Sequence, residues 1–133
     1  MNNTEKVKIV TYWLNISDED IKVMDGLYDL TYYSHSLFMG HLSIEKLLKG
    51  YFVFAKGKRP PYTHDLTRIA TESDLQLSPE QITLLDAVTQ FNIEARYPDI
   101  KLSFYKKATR EFSSEYIRKI KVFYSWIKSK IML

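Results

Sequence analysis

Residues 33–56 carry apolar side chains around most of the circumference of a helix, and this segment most constrains the fold. Leu37, Ile44, Leu48 and Phe52 recur at steps of four or seven along one stripe, and further aromatic and aliphatic residues widen it. A helix that is apolar on most sides needs neighbours on most sides. We therefore predict that residues 33–56 form the central helix of an all-α protein.

The rest of the chain also favours helices. Its four glycines and four prolines are confined to a few positions, strict alternation of apolar and polar residues is absent, and no Asn-Gly or Asp-Gly hairpin signal occurs. A chain of 133 residues fits one domain. We predict a single domain over residues 1–133, folded as an antiparallel up-and-down bundle of four or five helices. The predicted helices cover residues 4–30, 33–56, 64–72 and 79–97, with a last one that starts between 102 and 113.

Capping residues mark the ends of these helices. Thr4, Thr63 and Ser78 are predicted N-caps, and Gly57 is predicted to end the central helix. The polar run at residues 17–20 lowers helix propensity, so it predicts either a bend or a break in the first helix.

Two glycines lie inside the central helix. Gly40 and Gly50 each cost roughly 1 kcal/mol relative to alanine in a helix interior. We predict that both are kept because another helix crosses closely there.

The composition limits the cellular compartments and the types of reaction that can be expected for this protein. The chain has no cysteine, which excludes disulfides and a thiol nucleophile. Its N-terminus has no sustained apolar run like that of a signal peptide, and no segment is apolar enough to predict a membrane span. We expect a cytoplasmic protein that does not contact membranes.

Charge is distributed unevenly along the chain. The net charge is +3, but residues 101–133 hold nine lysines and arginines against two carboxylates, whereas residues 1–100 are acidic. A basic C-terminal segment is typical of proteins that meet phosphates or an acidic partner. It is equally typical of a solvated helix face beside an acidic neighbour in the same fold.

Several classes of site are excluded. The chain has no glycine-rich phosphate loop, no G-x-S-x-G elbow and no paired Glu-x-x-His motif of di-iron bundles. His41 and Glu45 stand four residues apart and could share a metal, but two ligands are too few. The alternative is a polar contact near the core, with Glu45 bound to an arginine. We predict no metal and no cofactor.

The loop "KRPPYTHDL" contains Arg59 and His64 in an R-x4-H spacing. An arginine and a histidine held close together can cleave RNA, because one stabilises the phosphorane charge and the other moves the proton. A proline-stiffened loop with a helix cap has the same composition, so the spacing alone does not separate the two.

The segment "FNIEARYPD" brings Glu94, Arg96, Tyr97 and Asp99 to a helix end that Pro98 forces to turn. Arg96 could clamp a phosphate there, with Tyr97 stacking on the ligand or donating a hydrogen bond. The alternative is an internal salt bridge from Arg96 to Glu45 or Glu94.

Four segments, in this order and spacing, resemble the HEPN domain family: "YWLNISDEDIKV", "YSHSLFMGHLSIEKLLKGYFV", "PPYTHDL" and "FNIEARYPD". The basic tail, residues 104–129, resembles the last helix of that family. The resemblance implies a helical bundle, usually a homodimer, of bacterial or archaeal origin. It also implies a frequent pairing with a small nucleotidyltransferase-like protein in toxin–antitoxin systems.

Many HEPN proteins are metal-independent RNases, in which an arginine and a histidine of two protomers meet at the dimer interface. This chain departs from their R-x4–6-H motif, because no histidine follows Arg96. The R-x4-H match at Arg59 lies in a different loop, so we interpret it as coincidence and Arg59 as a solvated charge. If the protein is an RNase, the resemblance leaves Arg96 and His64 as its catalytic pair.

We therefore predict that the protein is a binding module for nucleotide or RNA, or a partner of a nucleotidyltransferase. In either case it would be one half of a toxin–antitoxin pair. The alternatives are a metal-independent endoribonuclease toxin with a composite site at the dimer interface, and a structural dimer without ligand. The predicted ligand-binding residues come from two segments: Tyr62, His64 and Asp65 from one, and Glu94, Arg96 and Tyr97 from the other.

Overall fold

The computed structural model describes the backbone of residues 1–133 and every side chain except those of 98 and 99. The described chain forms six helices and no strand: α1 (Asn3–Asp29), α2 (Tyr33–Lys56), α3 (Leu66–Glu72), α4 (Pro79–Arg96), α5 (Pro98–Lys107) and α6 (Arg110–Lys130). The predicted all-α bundle is confirmed. None of the described helices is both long and apolar enough to cross a bilayer.

Helix α2 is the centre of the bundle, as its apolar circumference predicts. It packs against each of the other five helices. Leu37, Leu47, Leu48 and Val53 are fully buried in it, and they join a core that also takes in side chains of α1, α3, α4, α5 and α6. Burying apolar area on all sides of one helix is the main stabilising term of such a bundle.

Helices α1 and α2 form an antiparallel pair that crosses closely at small residues. A Cβ atom built on Gly40 would lie 2.9 Å from Ile120 of α6 and 3.1 Å from Met24 of α1. One built on Gly50 would lie 3.0 Å from the Cβ of Trp13. The prediction that the two glycines allow close crossing is confirmed.

Helix α1 runs unbroken through the polar run at residues 17–20, so the predicted break was wrong. The hydroxyl of Ser17 donates to the carbonyl of Ser43 at 2.8 Å, and Ser43 returns a bond to the carbonyl of Ser17 at 2.9 Å. Asp20 pairs with Lys46 of α2. Because these tertiary partners satisfy the polar groups, low local propensity does not end the helix.

The predicted caps are partly confirmed. Ser78 forms a complete capping box with Gln81, and Gly57 ends α2 with a φ of +65° in the left-handed region. Asn2 and Asp65 cap α1 and α3 in place of the predicted Thr4 and Thr63. In each case an Asn or Asp two residues away from the predicted cap reaches the free backbone N–H of the first turn.

The last quarter of the chain divides into two helices, α5 and α6, where the sequence predicted one helix. The hydroxyl of Thr109 accepts a hydrogen bond from the N–H of Phe112 and starts α6, while Phe104 and Ala108 are buried at the end of α5. On α6, Lys121 and Lys128 pair with Asp25 and Asp18 of α1. The basic tail is therefore partly neutralised by the acidic part of the same chain.

Gly50→Ala is expected to lower the free energy of unfolding by about 1 kcal/mol, because overpacking costs roughly 1–3 kcal/mol and alanine regains about 1 kcal/mol of helix propensity. The Cβ of Trp13 is fixed to the α1 backbone, so the two helices must move apart. Gly26→Ala is the control, since a Cβ there meets nothing within 4 Å. Urea denaturation should show Gly26→Ala equal to or more stable than wild type. Equal stabilisation by both changes would refute the close-crossing argument.

Candidate functional site

A buried carboxylate, that of Glu45 on α2, organises the candidate site. The residue is only 6% exposed. Its Oε1 accepts a hydrogen bond from Nδ1 of His64 at 2.8 Å, and its Oε2 accepts one from Nζ of Lys49 at 3.1 Å. A buried charge is tolerated only with such partners. Glu45 thus ties the loop before α3 to the central helix.

The imidazole of His64 is held by this contact yet remains open to solvent. Its side chain is 54% exposed, and Nε2 makes no hydrogen bond to any described residue. An imidazole whose Nδ1–H is donated to a carboxylate presents Nε2 in a fixed direction. That nitrogen can accept a proton from a ligand, or donate one to it once protonated.

His41 lies beneath His64 and is fully buried. Its Nε2 is 3.1 Å from the backbone carbonyl oxygen of His64. Since a carbonyl only accepts, Nε2 carries the hydrogen, and Nδ1 is the unprotonated nitrogen. This Nδ1 is buried without a hydrogen-bond partner among the described residues. His41 therefore supports the backbone of the loop that positions His64.

Burial lowers the pKa of His41 below its ordinary value of 6.5. The hydrogen bond to the His64 carbonyl and the negative charge of Glu45 oppose this shift, whereas the positive charges of His64 and Arg96 add to it. Burial thereby favours the neutral form, in which Nε2–H still donates to the His64 carbonyl.

Acid is expected to destabilise the protein through His41. Above pH 6.5 the imidazole is neutral in both states, so its contribution to stability is fully present. Below pH 6.5 the unfolded chain binds a proton that the folded chain resists, and stability falls until the pH passes the lowered pKa of the folded state. His41→Gln keeps a donor but removes this titration. Urea denaturation between pH 8 and pH 5 should therefore give a flatter profile for His41→Gln, and parallel profiles would contradict the argument.

Arg96, the last residue of α4, approaches the same buried histidine. Its Nε donates to Oδ1 of Asn92 at 2.9 Å, and its guanidinium carbon lies 6.0 Å from the centre of the Phe38 ring. Its charge is close enough to His41 to lower the pKa of that residue. Arg96 and His64 are thus both neighbours of one buried imidazole.

Neither alternative salt bridge of Arg96 forms. Glu45 is occupied by Lys49 and His64, and Glu94 pairs with Lys107 at 3.0 Å. No carboxylate among the described side chains pairs with Arg96, which is exposed; the side chain of Asp99, also predicted at this helix end, lies outside those described. The terminal nitrogens of Arg96 are therefore free of the intramolecular anion that the sequence offered as an alternative to a ligand.

The other predicted ligand-binding residues are more scattered. Tyr62 is completely exposed, and Tyr97 is 58% exposed at the junction of α4 and α5. Asp65 uses its side chain to cap α3, where it accepts from the N–H of Arg68. Glu94 is turned toward Lys107 of α5. His64 and Arg96 therefore share His41 as a neighbour, while Glu94 and Asp65 have structural contacts of their own.

The R-x4-H spacing has no counterpart in the site. Arg59 is exposed in the loop after α2 and forms no ion pair with a described residue. His64 takes its partners from α2 instead.

Sequence reasoning missed Lys49 and Asn92. Each stands four residues from a site residue that it contacts, Lys49 after Glu45 and Asn92 before Arg96. Side chains four residues apart lie on one face of a helix, so the spacing in the sequence could have indicated both contacts. Lys49 was not predicted as a site residue because lysine side chains are rarely buried.

The described side chains offer no metal site. No group of three histidines, cysteines, aspartates or glutamates among them is arranged to hold an ion. His41 and Glu45 are instead neighbours that each contact His64. Nε2 of His41 lies 3.8 Å from Oε1 of Glu45.

Comparison with known proteins gave two positive findings and one negative one. The family model described as HEPN domain matches residues 10–130. The crystal structure of TT1696 from Thermus thermophilus superposes with a TM-score of 0.79 at 18% sequence identity, covering 92% of this chain and 98% of that one. At this identity the likeness concerns the fold. No curated protein sequence matches the chain.

Proposed function

Because the chain belongs to the HEPN domain family, we propose that it is a binding module that holds a phosphate of a nucleotide or of RNA between Arg96 and His64. One observation carries the proposal: the oriented His64 contacts the buried His41, and Arg96, which has no carboxylate partner among the described side chains, is close enough to lower the pKa of the same residue. Guanidinium and imidazole N–H groups are strong donors to phosphate oxygens. The exposed Tyr62 and Tyr97 are the residues proposed to contact the base or sugar.

The test is a titration. Fluorescence anisotropy with a labelled single-stranded RNA, and calorimetry with ATP, should each show saturable binding at 50 mM salt. Raising the salt to 200 mM should weaken RNA binding steeply, because phosphate contacts release counterions. Absence of binding to both probes at both salt concentrations would refute the proposal.

A second candidate function is a metal-independent endoribonuclease, and the hydrogen bond between Glu45 and His64 favours it. Nε2 of His64 would take the proton of a ribose 2′-OH as this oxygen attacks the adjacent phosphorus. The bond from phosphorus to the 5′-oxygen breaks, which gives a 2′,3′-cyclic phosphate, and the 5′-oxygen leaves as a hydroxyl with a proton from water. Arg96 stabilises the negative charge that builds on the phosphoryl oxygens. Glu45 would act as a positioning residue.

Cleavage distinguishes the two candidates. If the protein is an RNase, labelled RNA incubated in EDTA should be cut, and both His64→Ala and Arg96→Ala should abolish the fragments. Binding without cleavage under any condition leaves the binding module as the function.

We also propose two protein partners, a second copy of this chain and a nucleotidyltransferase-like protein. Membership of the HEPN family supports a homodimer, for which sedimentation should give twice the 15.7 kDa mass of one chain. We further propose a nucleotidyltransferase-like protein as the second component of a toxin–antitoxin pair. Co-expression with such a protein from an adjacent reading frame, followed by co-purification, tests this part.

A further inference from the structure

A row of exposed aromatic and basic side chains on α5 starts next to Arg96. It consists of Tyr97, Lys101 and Tyr105, and we call it the α5 stripe. Tyr97 is 58% exposed, Tyr105 is 63% exposed, and Lys101 between them is also exposed. Helix α5 itself is anchored, because Phe104 is buried and its ring stacks on that of Phe91 of α4, with 5.4 Å between the ring centres. The stripe therefore stands on a fixed helix.

The spacing of the α5 stripe sets the length of the ligand that can cover it. Its residues follow one another at intervals of four, so they lie along one side of the helix. The helical spacing includes Tyr97, because the N–H of Lys101 donates to the carbonyl of Tyr97 at 2.9 Å. With a rise of 1.5 Å per residue, the backbones of Tyr97 and Tyr105 are about 12 Å apart. One base covers one ring, so a mononucleotide cannot stack on both tyrosines.

The charge of α5 indicates which kind of chain molecule fits the stripe. The described side chains of this helix include Lys101, Lys106 and Lys107 and no carboxylate. Aromatic rings that alternate with cations are typical of surfaces for single-stranded nucleic acid, because the bases stack on the rings and the cations neutralise the phosphates. The centre of a protein–protein interface is instead depleted of charged residues. A lysine in the middle of the stripe therefore favours a nucleic acid strand over a folded protein.

We infer that a single strand of RNA runs along α5, with one phosphate at Arg96, bases on Tyr97 and Tyr105, and a further phosphate at Lys101. This rests on the phosphate site proposed above and narrows its ligand to a strand of several nucleotides, as opposed to a mononucleotide. It also assigns a binding role to Lys101 and Tyr105, which no motif in the sequence singled out.

Probes of two lengths test the inference. Labelled oligouridylates of two and ten nucleotides, 2′-O-methylated so that no 2′-OH can attack, are titrated by fluorescence anisotropy at 50 mM salt. Wild-type protein should bind the longer probe more tightly. Tyr105→Ala should weaken binding of the longer probe by roughly 5–100-fold, the effect of losing one stacked base, and should leave the affinity for the shorter probe unchanged. Tyr105→Phe keeps the ring and should bind both probes like wild type. Lys101→Ala should reduce the slope of log affinity against log salt by about 1.

The chain offers a matched control for each residue. Tyr12 on α1 is 61% exposed, as much as Tyr105, but lies outside the stripe, so Tyr12→Ala should leave the affinity for the longer probe unchanged. Lys106 is an exposed lysine of α5 that points about 140° away from Lys101 around the helix, so Lys106→Ala should leave the salt slope unchanged. All the substituted side chains are exposed, and circular dichroism should show the same helix content in every variant.

Three results would overturn the inference: an unchanged affinity of Tyr105→Ala for the longer probe, an equal loss for Tyr12→Ala, or a loss for Tyr105→Phe as large as that for Tyr105→Ala. Arg96→Ala reports on the phosphate site separately. If Arg96→Ala changes the affinity for neither probe, the phosphate site is refuted and the inference with it. If Arg96→Ala weakens both probes while Tyr105→Ala weakens neither, the phosphate site stands and only the strand along α5 is refuted.

Discussion

Glu45→Ala is expected to lower the free energy of unfolding by about 3–5 kcal/mol, because it leaves Lys49 buried without its counter-ion. Lys49 has only 11% of its side chain exposed, so water cannot replace the carboxylate. The same change releases His64 from its hydrogen bond and frees the loop before α3. Since domains of this size are stable by about 5–15 kcal/mol, the loss is a large fraction of the total. Urea denaturation monitored by circular dichroism measures it.

The chain contains a matched control for this prediction. Glu115 and Lys119 on α6 have the same i, i+4 spacing and the same 3.1 Å contact, but their side chains are 58% and 41% exposed. Glu115→Ala should cost at most about 0.5 kcal/mol, because solvent screens an exposed pair. The double change Glu45→Leu with Lys49→Met should recover much of the loss, since an apolar pair carries no desolvation cost. Similar costs for Glu45→Ala and Glu115→Ala would refute the role of burial.

Arg96→Ala is expected to weaken RNA binding by roughly 10–100-fold, the equivalent of about 1.5–3 kcal/mol for hydrogen bonds to a charged group. Arg96 is exposed and its side chain makes one hydrogen bond to a described residue, Asn92, so the fold should survive the change. Arg96→Lys retains the charge but loses the planar fork, and it should bind with intermediate affinity. Anisotropy titrations at a fixed salt concentration give the three affinities.

Arg59→Ala is the control, because it removes the same type of exposed charge from the loop that carries His64. It should change affinity by much less than Arg96→Ala. Equal losses of affinity for the two variants would mean that RNA binding depends only on the overall charge. The site around His41 would then not be the binding site. A stronger effect of Arg59→Ala would revive the R-x4-H spacing as a functional motif.

Much of the fold was predictable from particular residues. The apolar circumference of residues 33–56 predicted the central helix, and "LSPEQ" predicted the capping box that starts α4. The division of the last quarter into α5 and α6 was not predicted, because only the burial of Phe104 and Ala108 distinguishes Thr109 from other polar residues as the start of a helix. The break predicted at residues 17–20 failed because Ser43 and Lys46, distant in sequence, satisfy the polar side chains there.

The candidate site was less predictable. His64 and Arg96 were named from the sequence, but the residues that hold them were not assigned to them. Glu45 was considered as the partner of an arginine, whereas in the structure it takes a lysine and a histidine.

The sequence by itself determined the helical class, the central position of α2 and the residue types available for chemistry, because periodicity and composition are local properties of the chain. Only the tertiary structure decided which charges meet. Ion pairs such as Lys128 with Asp18, and the approach of both His64 and Arg96 to His41, join residues far apart in sequence. Their geometry follows from how the helices pack, and a pairing that depends on packing leaves no periodic signal in the order of the residues.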